Sequence, residues 1–110
     1  MEFINRIELA GVVGQIRRQN IYDQTMANFS LVTEHSLTDR SGCAVIETTW
    51  FNVTAWKNKS MPELDKIERG SQVHVVGRLR ARRYVDGNGY DHITFDVVAS
   101  EVSLAPCPQI

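Results

Sequence analysis

Two tryptophans in the middle of the chain are the first candidates for binding chemistry. In segment 45–56, Phe51 and Val53 alternate with polar residues, which is the pattern of a half-buried β-strand. Trp50 and Trp56 lie on the polar side of this alternation. Large aromatic side chains among polar neighbours need a partner, which is either another protein surface or a set of stacked nucleic-acid bases. The strand alone favours neither alternative.

A second segment carries positive charge. Five arginines and no acidic residue occur between Arg69 and Tyr84. Arginines beside aromatic rings are typical of sequence-tolerant binding to single-stranded nucleic acid, because cations follow the phosphates and each stacked base contributes about 1–3 kcal/mol. Duplex DNA would hide the base faces. The predicted site residues on the two strands are Trp50, Asn52, Trp56, Arg78, Arg80, Arg82 and Tyr84.

Five strands and one short helix are predicted to position these residues. The strands cover about 5–17, 26–35, 45–56, 72–84 and 90–104, with loops at 19–24 and 36–44 and a turn at 86–89. Gly11 and Gly14 interrupt the first strand and predict a bulge or sharp bend. The predicted inward side chains include Ile7, Leu9, Ala27, Phe29, Leu31, Thr33, Phe51, Val53, Ala55, Val73, Val75, Leu79, Ala81, Ile93, Phe95 and Val97.

The helix is predicted between the third and fourth strands. Ser60 and Glu63 have the spacing of a capping box, and Gly70 is suited to end a helix of two or three turns. Leu64 and Ile67 would share its buried face. Three strands, a helix and two strands is the element order of the OB-fold, an all-β, five-stranded Greek-key barrel that binds oligonucleotides or oligosaccharides.

Composition limits the class of protein. The chain has 110 residues, 43% hydrophobic and 23% charged, which predicts one globular domain over residues 1–104 and a short flexible tail over 105–110. Because no apolar run is long enough to cross a membrane and the first residues lack the pattern of a secretory signal, we expect neither a membrane helix nor secretion. Cys43 and Cys107 lie far apart, which excludes a disulfide scaffold and favours a reducing cytoplasm. The formal net charge is −1, so the positive charge is local and predicts a defined groove.

Catalysis is not expected. His35, His74 and His92 lack the spacing of metal ligands or of a catalytic triad, and the carboxylates do not cluster. We therefore expect neither an enzyme nor a metal or other cofactor.

Several short motifs together resemble one family. They are NRIELAG at 5–11, ANFSL at 27–31, TWF at 49–51, AWK at 55–57, and RGSQV and GRLRARRY within 66–84. In this order and spacing, over nearly all of residues 5–103, the chain is similar to bacterial single-stranded DNA-binding proteins of the homotetrameric OB-fold type. Each motif alone is weak, whereas their ordered sum is specific.

The resemblance implies sequence-tolerant binding and protection of single-stranded DNA during replication, recombination and repair. The family's stacking aromatics fall on Trp50, Trp56 and Tyr84, and another falls near Leu37, where this chain has none. It also implies a cytoplasmic homotetramer in which the first strand pairs across a two-fold axis. A primosome-type OB-fold module for protein interaction and replication restart is the alternative function.

The family's acidic C-terminal tip, which recruits replication and repair proteins, has no counterpart in residues 108–110. Two explanations stay open: a shortened chain, or a variant without the tip, such as one from a mobile element.

Overall fold

In the computed structural model, which describes residues 1–105, five strands form one closed barrel. The strands are β1 (Ile7–Ile21), β2 (Gln24–Thr38), β3 (Ala44–Trp56), β4 (Gln72–Val85) and β5 (Asp91–Leu104). Their order around the barrel is β1-β2-β3-β5-β4, and only the β3–β5 contact is parallel. The predicted all-β, five-stranded OB-fold barrel is confirmed.

β1 joins both halves of the barrel because it bends near its glycines. Its first half, through Val12, pairs with β4, and its second half, from Val12, pairs with β2. The β1–β2 register shifts between Val13 and Ile16, which confirms the predicted irregularity around Gly14. At Gly11 a Cβ would lie 2.2 Å from the carbonyl oxygen of Val32, so only glycine allows the two backbones to approach here.

The hairpins are longer than predicted. β1 and β2 meet at a two-residue turn, where Tyr22 and Asp23 both have positive φ, so the predicted loop at 19–24 is mostly strand. This turn was missed because tyrosine is not one of the residues that ordinarily favour positive φ. The predicted loop at 36–44 is also shorter, since Asp39 accepts the backbone N–H groups of Ser41 and Cys43 and closes the hairpin tip tightly.

The predicted helix of two or three turns is a single 3-10 turn, Leu64–Lys66. The capping box was wrong: the residue before the turn is Glu63, and no side chain caps it. Ser60 instead donates its backbone N–H to the side chain of Asn58. Leu64 and Ile67 are both buried, as predicted, and belong to the core. Neither this turn nor any other part of residues 1–105 is a helix able to cross a membrane.

The core fills the closed part of the barrel. Ile7 and Leu9 pack against it, and its buried side chains are Val13, Ala27, Phe29, Leu31, Val53, Ala55, Met61, Leu64, Ile67, Val73, Val75, Val97, Ala99 and Val102. Thr33 and Phe51 are half-buried.

The predicted core positions on the outer part of the β4–β5 hairpin were wrong. Leu79 is 40% exposed, Ile93 63% and Phe95 60%, and Ala81 is exposed as well. β3 and β5 pair only over Val53–Ala55 and 97–99, so the hairpin continues beyond the point where the barrel closes. The alternation of side chains therefore continues along this part of the hairpin, although no barrel interior lies beside it. The predicted flexible tail lies almost wholly outside the described residues, as does Cys107, whereas Cys43 is exposed.

Candidate nucleic-acid interface

The two tryptophans of β3 project from the outside of the barrel. Trp50 is 62% exposed and Trp56 is 38% exposed, whereas Val53 and Ala55 of the same strand are buried. The ring of Trp50 lies against β1 at Gly14, where a Cβ would be 2.7 Å from Cζ3 of the indole. The absence of a side chain at Gly14 therefore gives Trp50 a flat support on one face and leaves much of the ring open.

Arg80 is held by an acidic residue of the neighbouring strand. Its Nε and Nη2 donate to the two carboxylate oxygens of Asp96 at 3.1 and 2.7 Å, in a forked ion pair. Asp96 is the only buried polar or charged residue in the described part of the chain. Because Val97 pairs with Val53, Asp96 and Asn52 hold corresponding positions on the two strands, just before the point where these strands separate, and both line the same groove.

The ion pair between Arg80 and Asp96 determines the charge of this surface. Hydrogen bonds from Arg80 are the largest cause of the lowered pKa of Asp96, so its carboxylate stays ionised at neutral pH. Arg82 lies 3.9 Å from the same carboxylate and its side chain is 63% exposed, so it remains available to another anion. β5 therefore supplies an acid to this surface that the β4 sequence does not show.

A groove of about 660 Å³ opens where β3 and β5 separate, before Val53 and Val97. This volume is within the range of roughly 300–1,000 Å³ typical of small-molecule pockets. All five strands line it, and its charged and amide side chains are Arg17, Arg69, Arg82, Gln15, Asn28, Asn52 and Asp96. Since Arg80 neutralises Asp96, the groove has a positive rim and a floor able to donate and accept hydrogen bonds.

Three groove residues were missed by sequence reasoning. Arg17 and Arg69 are exposed, and neither forms an ion pair within residues 1–105. Arg69 belonged to the basic segment but preceded the predicted strand, and nothing in the sequence distinguished Arg17. Phe95 was assigned to the core, but it lines the groove and adds an exposed ring.

Tyr84 belongs to a small side-chain cluster near the tip of the β4–β5 hairpin. Its ring stacks on that of His92, directly opposite on β5, with centroids 4.9 Å apart and an angle of 17° between the planes. Nε2 of His92 lies 2.7 Å from Oδ2 of Asp86, whose Oδ1 accepts the turn N–H groups of Asn88 and Tyr90. The bond with His92 is the largest cause of the lowered pKa of Asp86. The turn thus holds His92 under one face of Tyr84, which is half exposed.

The predicted site residues therefore divide into four groups. Asn52 and Arg82 share the groove, with Arg80 bound behind them to Asp96. The two tryptophans lie along β3, and Tyr84 lies farther out on the hairpin. Arg78 lines a separate depression near the start of β1.

Comparison of the sequence with known proteins identifies a family and several relatives. The model of the family described as "Single-strand binding protein family" matches residues 4–105. The single-stranded DNA-binding protein of Neisseria meningitidis is 27% identical over 103 residues, covering 92% of this chain and 59% of its own length. Single-stranded DNA-binding protein 1 of Chlorobaculum tepidum is 30% identical over 104 residues, covering 92% and 64%. The chain thus spans about three fifths of the length of these curated relatives.

Solved structures share the fold at lower identity. A Plasmodium falciparum SSB in complex with single-stranded DNA superposes with a TM-score of 0.81 at 20% identity, covering 96% of this chain and 98% of that one. A small single-stranded DNA-binding protein from Streptomyces coelicolor gives a TM-score of 0.73 at 21% identity, with 96% of both chains covered.

We predict that Arg80→Ala lowers the free energy of unfolding by about 1–3 kcal/mol, because Asp96 would stay buried without its hydrogen-bond donors. Urea unfolding at matched protein concentration measures this, with Arg78→Ala as the control that breaks no ion pair. Because the folded-state pKa of Asp96 is lowered, the pair stabilises the fold above the ordinary pKa of 3.8. The difference between wild type and Arg80→Ala should therefore be complete at pH 7 and shrink as the pH falls below 3.8. Equal losses in the two variants would contradict the structural role of Arg80.

Proposed function

Because the chain belongs to the single-strand binding protein family, we propose that it binds single-stranded DNA with little preference for sequence. The observation that carries the proposal is the pair of exposed tryptophans on β3 beside a groove rimmed by available arginines. Indole rings stack on any base, and guanidinium groups bind phosphates of any sequence. The surface therefore fits the shared features of single strands.

Each predicted site residue has a role in this proposal. Trp50, Trp56 and Tyr84 stack on bases, and Phe95 supplies an additional ring, since this chain has no aromatic residue at Leu37 near the end of β2. Asn52 forms hydrogen bonds at the groove floor. The arginines that contact phosphates are Arg82 and Arg78, together with Arg17 and Arg69. Arg80 acts by holding Asp96, so that the carboxylate does not repel the DNA backbone.

Coating of single strands during replication, recombination and repair, without catalysis, is the cellular role that fits such a surface. The cytoplasmic location follows from cysteine usage and remains a prediction. A primosome-type interaction module is the competing function, because the same aromatic rings could pack against a protein. Titration with poly(dT) at two salt concentrations, followed by tryptophan fluorescence, separates them: quenching supports DNA binding, and its absence supports the module.

We further propose that the protein is a homotetramer. Residues Ile7–Gly11 of β1 pair with β4 on one edge, and their other edge has no strand partner within residues 1–105. Open strand edges favour pairing with another chain. Leu79 and Ile93 present apolar surface on the nearby hairpin and would be covered by further copies.

We expect Trp50→Ala and Trp56→Ala each to weaken binding to oligo(dT) by about 1–3 kcal/mol, because each removes a stacking surface. Fluorescence anisotropy of labelled oligo(dT) measures the loss. Tyr22→Ala is the matched control, since Tyr22 is an aromatic residue that is 97% exposed in the β1–β2 turn and does not line the groove. Folded tryptophan variants with unchanged affinity would assign these rings to a protein interface.

Salt dependence should separate charge from stacking. Arg82→Gln should flatten the plot of log affinity against log salt by about 0.7, the value for one phosphate contact on a single strand. Trp56→Ala should reduce affinity with little change of slope, because stacking releases no counterions. The Arg82 effect should be similar on different base sequences. Equal changes of slope in both variants would refute this division of roles.

Static light scattering at micromolar concentration should give four times the chain mass of 12.5 kDa. The apolar hairpin surface and the open β1 edge would then be buried between copies. A monomer at this concentration would refute the tetramer without affecting the DNA-binding proposal.

A further inference from the structure

The turn of the β4–β5 hairpin carries a carboxylate whose only charged neighbour is a histidine. Oδ1 of Asp86 accepts the backbone N–H groups of Asn88 and Tyr90 at 2.9 and 3.0 Å, and Oδ2 lies 2.7 Å from Nε2 of His92. Within residues 1–105, neither a lysine nor an arginine forms an ion pair with Asp86. The hydrogen bond with His92 is the largest cause that lowers the pKa of Asp86 below the ordinary 3.8, so the carboxylate is ionised at and above pH 5.

His92 therefore sets the net charge of the hairpin-tip cluster, which consists of Tyr84, Asp86 and His92. With a neutral imidazole the cluster carries the negative charge of Asp86, whereas a protonated imidazole pairs with the carboxylate and cancels it. Histidine is the side chain that ordinarily changes between these two forms from pH 8 to pH 5. The hydrogen bond to Asp86 persists in both forms, because Nε2 can carry a proton in the neutral ring as well.

The groups around His92 leave this titration as the main change of charge at the hairpin tip. From β4, Tyr84 lies directly opposite His92, and Arg82 lies two residues earlier on the same face. Tyr90 precedes β5, and a tyrosine is uncharged in this range of pH. β3 pairs with β5 only at 97–99, away from His92. Arg82 is positive throughout, so only His92 changes its charge on this face of the hairpin.

This face differs from the one that the proposed tetramer would cover. Successive side chains of a strand point to opposite faces. Leu79 and Ile93, which were assigned to contacts between copies, therefore point away from the face of His92. Arg83 and Asp91 lie on that reverse face as well and pair with each other at 2.8 Å, so their charges cancel. The hairpin-tip cluster is thus open to DNA in the tetramer.

We propose that His92 is a proton-linked positioning residue for single-stranded DNA: it supports the ring of Tyr84, and in its protonated form it neutralises Asp86, so that binding of the strand takes up a proton. This inference rests on the proposed function, in which Tyr84 stacks on a base. The two rings are 4.9 Å apart and 17° from parallel. A cation over the face of a tyrosine ring is favourable, so protonation does not cost the support.

The sign of the effect follows from charge. A base stacked on the open face of Tyr84 brings its phosphate to within about one Debye length of the cluster, which is about 10 Å at 0.1 M salt. That phosphate is repelled by an unpaired Asp86 and is not repelled once His92 is protonated. Proton binding and DNA binding therefore strengthen each other by the same factor. Affinity should rise as the pH falls from 8, and the gain should be lost as the pH rises again.

Titration of oligo(dT) at about pH 8 and about pH 5.5, at constant low ionic strength, provides the test, because thymine does not titrate in this range. Between the two pH values, the affinity of wild type should rise about 2–5-fold more than that of His92→Gln. Glutamine can still donate a hydrogen bond to Asp86 but cannot be protonated. His35 and His74 remain in both proteins, so their contributions cancel, and His35→Gln is the matched control that should keep the wild-type pH profile.

Two further variants separate charge from support. His92→Arg has a planar, always charged group that can stack on Tyr84 and pair with Asp86. It should bind at pH 8 about as tightly as wild type at pH 5.5, without the additional pH dependence. Asp86→Asn removes the charge, while its side-chain oxygen still accepts the N–H groups of the turn. It should bind about 2–5-fold more tightly than wild type at pH 8, and the gain should shrink at high salt.

Each contrary result has a distinct meaning. Equal pH profiles of wild type and His92→Gln overturn the proton link, and so does a loss in His92→Gln that is the same at both pH values, since His92 would then only support the ring. Weaker binding by Asp86→Asn at pH 8 overturns the role given to the carboxylate. In all these cases DNA binding by wild type stands, whereas absence of binding by wild type at both pH values overturns the proposed function itself.

Discussion

Closure of the barrel over three residue pairs is the constraint on which the rest of the structure depends. β3 and β5 pair only at Val53–Ala55 and 97–99, and these residues include four of the buried core side chains. Where β3 and β5 are paired, every second side chain points into the barrel and fills its core. Beyond it, the β2–β3 and β4–β5 hairpins separate, and the groove lies at that point. A longer β3–β5 contact would bury Phe95 and remove the groove, so its short length makes a binding surface compatible with a compact core.

The position of Asp96 follows from the same constraint. It comes directly before the β3–β5 contact, close enough to the core to be buried and on the outward side of β5. A buried carboxylate without donors would be costly, and Arg80 satisfies both of its oxygens. Arg80 of β4 therefore stabilises the fold. Arg82 lies 3.9 Å from the same carboxylate and can move away from it without leaving Asp96 unpaired.

Patterns confined to one strand were predicted well. Alternation on β3 correctly placed Val53 and Ala55 in the core and the tryptophans outside, because side-chain direction on a strand depends only on position along it. The family was also recognisable from the ordered motifs. Properties that depend on two strands were not predictable in this way: the pairing of Arg80 with Asp96 and the exposure of Phe95 both depend on strand register and on where the barrel closes. The capping box failed because other residues take the backbone groups of Ser60: its N–H donates to the side chain of Asn58, and its carbonyl accepts the N–H of Val102 on β5.

The distribution of acidic residues explains how a chain of net charge −1 can present a positive surface. Two acids of the β4–β5 hairpin form ion pairs with arginines of the same hairpin: Asp91 pairs with Arg83, and Asp96 with Arg80. Their fields are cancelled at short range, so Arg17, Arg69 and Arg82 dominate the potential at the groove. A cleft with low-dielectric walls concentrates such a field, whereas the rest of the surface carries mixed charge. A polyanion would therefore be attracted to one region of the molecule, where the stacking surfaces already lie, rather than to the whole protein.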